Sequence, residues 1–128
     1  MLIEKKEIFD EDQTLGYIES VFNSGNVLKT TYFPKTERLY VAFTRGNTYS
    51  YGNVSSELYY EFESSESQGK FFHSKMLNNK DYPFRKEFTL YPSEVKELKE
   101  IIENAVEKPN DTKTIEINTT TLNKHFND

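Results

Sequence analysis

Alternation of apolar and polar residues over short stretches is the main pattern in this chain, and it predicts strands with one buried face. Residues 39–43 show it most clearly, because Leu39, Val41 and Phe43 alternate with residues of the opposite face. Residues 27–33 are rich in β-forming side chains, and residues 48–51 follow a reversal around Gly46. The three stretches together predict an antiparallel meander, with positive φ at Gly46 or its neighbour in the turn.

Helical spacing appears after the meander. A first helix is predicted to begin at a cap at Ser55 or Ser56 and to end near Gly69, and a shorter helix follows over residues 71–77. The apolar positions on one face of the first helix are Leu58, Tyr59 and Phe62.

A further strand and the clearest helix of the chain come next. Residues 84–91 alternate again, and Pro92-Ser93-Glu94 then opens a helix whose opposite face is Glu and Lys. The apolar stripe of this helix consists of Val95, Leu98, Ile101, Ile102, Ala105 and Val106.

The two ends of the chain show weaker patterns. Ile18, Val21 and Phe22 have helical spacing and predict a short helix that ends near residues 23–25. Residues 114–118 alternate within a polar segment, which predicts either a mobile tail or an added edge strand.

These elements predict a small α+β domain. Its antiparallel sheet of three to four strands is covered by the helices from Ser56 and Ser93, and a mobile C-terminal tail follows. The expected organisation is an acidic N-terminal extension at 1–25, the α+β domain at 26–107 and a polar tail at 108–128.

Composition narrows the functional classes. The 128 residues include no Cys, so there is no disulfide framework and no thiolate metal site. Apolar runs are too short for a membrane span or a signal peptide, so we expect a cytoplasmic protein without a membrane partner. Nine Tyr and ten Phe allow a small core to form although only 35% of the residues are hydrophobic.

The charge is unevenly distributed. The net charge of −5 disfavours a polyanionic partner if it is taken as spread evenly. Residues 1–25 carry six acids and two bases, and residues 87–128 carry nine acids and five bases, whereas residues 26–86 carry nine bases and six acids. The negative charge therefore belongs to the flanks. These flanks are either ordinary solubilising surface, or a competitor that covers the basic middle, or a docking tail for partner proteins.

An ordered set of motifs spans about half of the chain. A strand ending in Tyr32 is followed by Leu39-Tyr40-Val41-Ala42-Phe43, by Gly46 and by Tyr49-Ser50-Tyr51. Further along come Val54, Tyr59, Ser67-Gln68-Gly69-Lys70-Phe71-Phe72 and Tyr82-Pro83.

In this order and spacing, residues 27–86 resemble the KTSC domain. That family is named from the C-terminal region of some lysyl-tRNA synthetases, and it also occurs alone in bacterial and phage proteins. The resemblance implies a fold, together with a suggested role in binding nucleic acid. Ser65 stands where Ala is expected and His73 where Asn usually follows the aromatic pair, so His73 is not among the predicted site residues.

Aromatic residues at strand spacing are the first candidate for a binding site. Tyr49 and Tyr51 are two residues apart, so both rings leave the same face of the sheet, as on platforms that stack successive bases. Phe72 is a third candidate. The alternative is that the two tyrosines simply cover the helix over residues 56–67.

Basic residues among the aromatics are the second candidate. Lys70, Lys75, Arg85 and Lys86 are predicted to meet phosphates, and Arg45 joins them from the hairpin tip. Asp81 is the single acid between Lys70 and Lys86. The alternative is a solvated surface whose neighbouring rings point inward.

Catalysis has little support in the sequence. The chain has two histidines, His73 and His125, that are far apart, and it has no Gly-rich phosphate loop, metal-ligand spacing or nucleophile elbow. We therefore expect no enzyme activity, no metal and no small-molecule cofactor.

The sequence predicts a non-catalytic module that binds single-stranded DNA or RNA. The alternative is a protein-interaction or homodimerising accessory protein.

Overall fold

Seven strands and three helices make up the fold of the described residues. The structure, a computed structural model, describes residues 1–107 and 113–118. The elements in chain order are β1 (Leu2–Phe9), β2 (Leu15–Phe22), β3 (Val27–Phe33), β4 (Arg38–Phe43), β5 (Asn47–Tyr51), α1 (Ser56–Ser64), α2 (Gln68–Lys75), β6 (Phe84–Thr89), α3 (Pro92–Glu107) and β7 (Lys113–Asn118).

All seven strands belong to one mixed sheet with the order β6-β5-β4-β3-β2-β1-β7. Neighbours from β6 to β1 are antiparallel, whereas β7 is parallel to β1. The α+β class is confirmed, but the predicted antiparallel sheet of three to four strands is wrong. The missing strands come from both chain ends: β1 and β2 were not predicted as strands, and β7 was predicted only as an alternative to a mobile tail.

The predicted helix at residues 18–22 is also wrong, because this segment is part of β2. Ile18 and Phe22 lie in the core beneath α1 and α2, while Val21 lies on the other side of the sheet near Leu98 of α3. A strand with both faces covered carries apolar residues on both sides, so it loses its alternation and imitates helical spacing.

At the C-terminal end, the edge-strand alternative describes β7. Lys113–Asn118 pairs in parallel register with Glu4–Phe9 of β1. The predicted mobility of the rest of the tail falls on residues 108–112 and 119–128, which lie outside the described residues.

The first face of the sheet, defined here as the side covered by α1 and α2, holds the main core. Tyr32 of β3 and Tyr59 of α1 stack in parallel at 4.4 Å between ring centroids, and both are fully buried. Phe62 of α1 packs edge-on against Phe22 of β2. These contacts attach α1 to the centre of the sheet.

Two caps separate the helices of this layer. Ser55 caps α1, where its side chain accepts a hydrogen bond from the Leu58 backbone, and α1 ends at Ser64. Ser67 then caps α2 through the Lys70 backbone. The prediction that the first helix continues to near Gly69 is therefore wrong, because a new cap starts a second helix before that residue.

The second face of the sheet is crossed by α3. The predicted helix from Pro92 is confirmed, and Leu98 and Ile101 of its apolar stripe lie beside Val21 and Lys29. In the described part of the chain, no helix is both long and apolar enough to cross a membrane.

Polar contacts join β1 to the helical layer. Lys5 of β1 donates to the Glu63 carboxylate of α1 at 2.8 Å, and both side chains are largely buried. The amino group of Met1 donates to the side chain of Gln68 and to the backbone oxygen of Asn23. The N-terminal strand is thus anchored to both helices of the first face.

Candidate nucleic-acid interface

Tyr49 and Tyr51 lie on the first face of β5 and point toward α2. Tyr51 is 5% exposed and Phe72 of α2 is 3% exposed, and their ring centroids are 5.1 Å apart. Tyr49 is half-buried. The two tyrosines therefore do not form an open platform, and they pack beside α2 rather than over α1.

The three predicted aromatic residues do meet, in a depression of about 330 Å³ that we call the aromatic pocket. Its aromatic lining is Phe43, Tyr49, Tyr51, Phe72 and Phe84, and the rest of its lining is Asn26, His73, Leu77 and Asn78. Neighbouring rings lie 5.1 to 6.3 Å apart between centroids. The pocket exists because β4, β5, β6 and α2 each contribute at least one ring.

Exposure divides the pocket into a floor and walls. Tyr51 and Phe72 form the floor, whereas Phe84, which is 62% exposed, and the half-buried Phe43 and Tyr49 form the walls. Burial and the neighbouring Tyr49 raise the pKa of Tyr51 to about 12. Its hydroxyl group, which is protonated at neutral pH even at the ordinary pKa of 10, therefore remains a hydrogen-bond donor in alkaline solution as well.

A polar depression of about 410 Å³ continues from the aromatic pocket along α2. It is lined by Ser24, Gly25, Asn26, Ser67, Gly69, Lys70 and His73. Asn26 and His73 border both depressions, so the two form one groove between α2 and the β2–β3 turn.

Gly69 allows α2 to approach the turn closely. A Cβ atom at this position would lie 3.2 Å from the Cβ of Asn26, which is tighter than normal contact. The polar end of the groove therefore depends on residue 69 having no side chain, because a larger residue would push α2 and the turn apart.

The predicted basic residues divide between two sides of the molecule. Lys70 lines the polar end of the groove, and Lys86 lies opposite Tyr49 on β6, so it emerges on the first face. Arg85 lies opposite Ser50 and emerges on the second face, where its Nε donates to Glu87 at 2.6 Å.

The other two predicted bases lie farther from the groove. Lys75 follows His73 by two residues, so it leaves α2 roughly 200° farther round the helix. Arg45 is exposed in the β4–β5 turn. The structure thus brings Lys70 to the groove and Lys86 to the same face of the sheet, and it leaves Lys75, Arg45 and Arg85 outside the groove.

Sequence reasoning missed six residues that line the aromatic pocket: Asn26, Phe43, His73, Leu77, Asn78 and Phe84. Phe43 and Phe84 belong to the alternating pattern that indicated core positions. The useful signal for Phe84 is its register with Tyr51, which depends on strand pairing over about 30 residues. His73 was set aside because the family usually has Asn at this position.

The groove can bind a planar aromatic group. Its walls offer ring faces, while Asn26, His73 and Asn78 offer hydrogen-bonding groups at the rim. Among the described residues there is no cluster of three or more His, Asp or Glu side chains that could hold a metal ion.

Comparisons with known proteins point to one family. The family model described as the KTSC domain matches residues 23–82. A crystal structure of a KTSC domain protein from Yersinia pestis is similar to this chain, with a TM-score of 0.50 and 27% sequence identity over 55% of this chain and 96% of that chain. No curated protein sequence matches the chain.

The matched region holds β3, β4, β5, α1 and α2 and all the residues that line the groove except Phe84. Both β1 and β2, and all elements from β6 onward, lie outside it. Residues 23–82 of this chain therefore match the KTSC domain, which confirms the resemblance found in the sequence.

Proposed function

We propose that this protein is a non-catalytic module that binds single-stranded nucleic acid, with one base held in the aromatic pocket. The observation that carries the proposal is the gathering of five rings around one open depression, with Phe84 and Tyr49 accessible at its walls. Every base has a planar face, and stacking on an aromatic side chain contributes about 1–3 kcal/mol per base.

The size and the rim of the pocket favour a single unpaired base. Its volume of about 330 Å³ lies at the lower end of the range for ligand sites. Asn26, His73 and Asn78 can hydrogen-bond to the edge of a base, and that edge is occupied in a duplex. A preference for single strands over duplexes follows.

Charge at the groove supports the same ligand. Lys70 lies at the polar end and Lys86 lies opposite Tyr49 on β6, so both basic residues are on the face of the sheet that holds the aromatic pocket. Phosphates on either side of the held base would meet one cation each. The affinity should therefore fall as the salt concentration rises.

The predicted site residues take different roles in this proposal. Tyr49 stacks on the base together with Phe84, whereas Tyr51 and Phe72 shape the floor. Lys75 and Arg45 lie outside the groove and contribute only to the general field.

The direct test is a fluorescence-anisotropy titration with labelled single-stranded DNA, single-stranded RNA and duplex DNA at low and high salt. We expect salt-dependent binding of the single strands and weaker binding of the duplex. Phe84→Ala should weaken binding about tenfold, because it removes one accessible stacking wall. Tyr60→Ala is the matched control, since Tyr60 is an exposed ring of α1 beside Lys5 and outside the groove.

Absence of binding at low salt would reject the proposal. A stable dimer that is unaffected by oligonucleotide would instead favour the protein-interaction alternative.

A further inference from the structure

A row of aromatic side chains crosses the second face of the sheet on three adjacent strands. Tyr17 of β2 and Phe33 of β3 lie 5.4 Å apart between ring centroids, and Phe33 and Tyr40 of β4 lie 5.7 Å apart. We call these three residues the aromatic row. Each ring is partly exposed, whereas the apolar residues of the first face on the same strands are almost all buried.

The row leads toward β6 through an apolar depression of about 220 Å³. Its lining is Lys29, Thr31, Phe33, Tyr40, Ala42, Thr48, Phe88 and Leu90. Phe88 lies opposite Thr48 on the second face of β6 and is 51% exposed. Accessible rings therefore extend over the second face from β2 to β6.

Two guanidinium groups border the row. Arg38 Nε donates to the Ser50 hydroxyl at 3.1 Å, and Ser50 donates in turn to Glu87. Arg85 Nε donates to the same carboxylate at 2.6 Å. One glutamate thus positions two arginines, which leaves the network with a positive charge beside Tyr40.

β6 joins the second face to the aromatic pocket. It is an outer strand of the sheet, and all its residues except Glu87 are exposed. Phe84 and Lys86 emerge on the first face, while Arg85 and Phe88 emerge on the second. An aromatic side chain and a basic side chain are therefore available on each face of the sheet at this edge.

We propose that a bound single strand continues from the aromatic pocket around the outer edge of β6 and stacks on the aromatic row of the second face. This inference rests on the proposed function and extends its footprint. Tyr40 lies two strands from β6, a distance of about 10 Å, so a short oligonucleotide can reach both faces. Arg85 and Arg38 meet phosphates along this path, which suits a polyanion that carries bases.

Oligonucleotide length tests the path. Labelled oligothymidylates of about four and about twelve nucleotides span the range of site sizes on small single-strand-binding domains. Tyr40→Ala should weaken binding of the longer oligonucleotide five- to tenfold and leave the shorter one unchanged, because the shorter one fills the aromatic pocket alone. Tyr40→Phe should bind like the parent protein, since it keeps the ring.

Two controls keep the outcome unambiguous. Tyr60→Ala removes an exposed ring far from both sites and should leave both affinities unchanged, and a thermal melt shows whether Tyr40→Ala is folded. Unchanged binding of the longer oligonucleotide by folded Tyr40→Ala would overturn the path around β6. If Phe84→Ala still weakened binding of both oligonucleotides in that case, the proposed function would stand without the path around β6. If the parent protein bound neither oligonucleotide, both the proposed function and the path around β6 would be rejected.

Discussion

At the scale of single residues, exposure separates ring positions that the sequence treats alike. Tyr49 and Tyr51 share one strand and one face, yet Tyr51 is nearly buried while Tyr49 remains partly accessible. Phe84, the most exposed ring of the aromatic pocket, belongs to a stretch for which the alternation predicted a strand but no binding role. The residues that shape the floor and those that can contact a ligand therefore call for different tests.

Stability measurements should separate the two groups. Tyr51→Ala is expected to lower the free energy of unfolding by about 3 kcal/mol or more, because it empties a buried position in the core. Phe84→Ala should cost less than about 1 kcal/mol, since most of its ring already contacts water. Urea unfolding of both variants checks this, and a large loss in Phe84→Ala would contradict its role as an accessible wall.

The Lys5–Glu63 ion pair allows a second residue-scale prediction. Lys5→Met should destabilise the protein by about 3 kcal/mol, because it leaves the largely buried Glu63 carboxylate without its cation. Replacing Glu63 by Met in the same protein should recover much of the loss, since no charge is then left unpaired. Urea unfolding of the two single variants and the double variant measures the coupling, and strictly additive losses would argue against it.

The same pair predicts a pH dependence. Burial lowers the pKa of Lys5, but the hydrogen bond and charge of Glu63 outweigh it, so the pKa in the folded protein lies above the ordinary 10.5. A raised pKa of this kind contributes stability that is complete below the unfolded pKa and is lost as the pH rises through the folded one. Unfolding at about pH 9 and about pH 11 should therefore show a smaller alkaline loss in Lys5→Met than in the parent protein.

At the scale of elements, the sequence predicted the features that depend on interactions between residues close together in the chain. The sequence predicted the meander of β3, β4 and β5, the cap at Ser55 and the start of α3, because alternation, caps and turns act over a few residues. The sequence did not predict β2 as a strand, since its apolar residues contact helices on both faces of the sheet.

The sequence predicted the aromatic pocket only in part. Strand periodicity placed two tyrosines on one face, but the wall at Phe84 depends on the register of β6 against β5.

The cap of α2 provides an element-scale prediction. Ser67→Ala removes the side chain that accepts from the Lys70 backbone and should cost about 1 kcal/mol of stability. Fraying of this first turn moves Gly69 and Lys70, so affinity for single strands should fall as well. Ser64→Ala is the control, because its hydroxyl bonds only to carbonyl oxygens at the end of α1 among the described contacts. Equal effects of the two changes would argue against a role for the α2 cap.

At the scale of the whole molecule, the acidic flanks fold onto the same sheet as the basic middle. Glu19 of β2 pairs with Lys29 at 3.5 Å, and Asp10 pairs with Lys35 at 3.1 Å. Part of the negative charge thus neutralises bases of the middle segment, whereas Lys70 and Lys86 of the groove belong to no described ion pair. The charge of residues 26–86, which carry nine bases and six acids, therefore describes the groove better than the net charge of −5 does.

Binding should be visible in the stability of the whole domain. A ligand that binds only the folded state at about 100 times its Kd adds about 2.7 kcal/mol of stability. For a chain of this length that corresponds to a rise in Tm of roughly 10 °C. A thermal melt with a single-stranded oligonucleotide at low salt measures the shift, which should disappear at high salt. An unchanged Tm under both conditions would count against the proposed function.

The parallel pairing of β7 with β1 has a consequence for synthesis on the ribosome. β1 emerges first, but its outer neighbour follows about 110 residues later, which takes roughly 5–20 s at usual rates of translation. During that interval the outer edge of β1 lacks its partner, and an open edge invites pairing with other chains. Glu4, Lys5, Lys6 and Glu7 occupy four successive positions of this edge. Charged side chains on an open edge disfavour such pairing, so this stretch of β1 is suited to remain uncovered until β7 is synthesised.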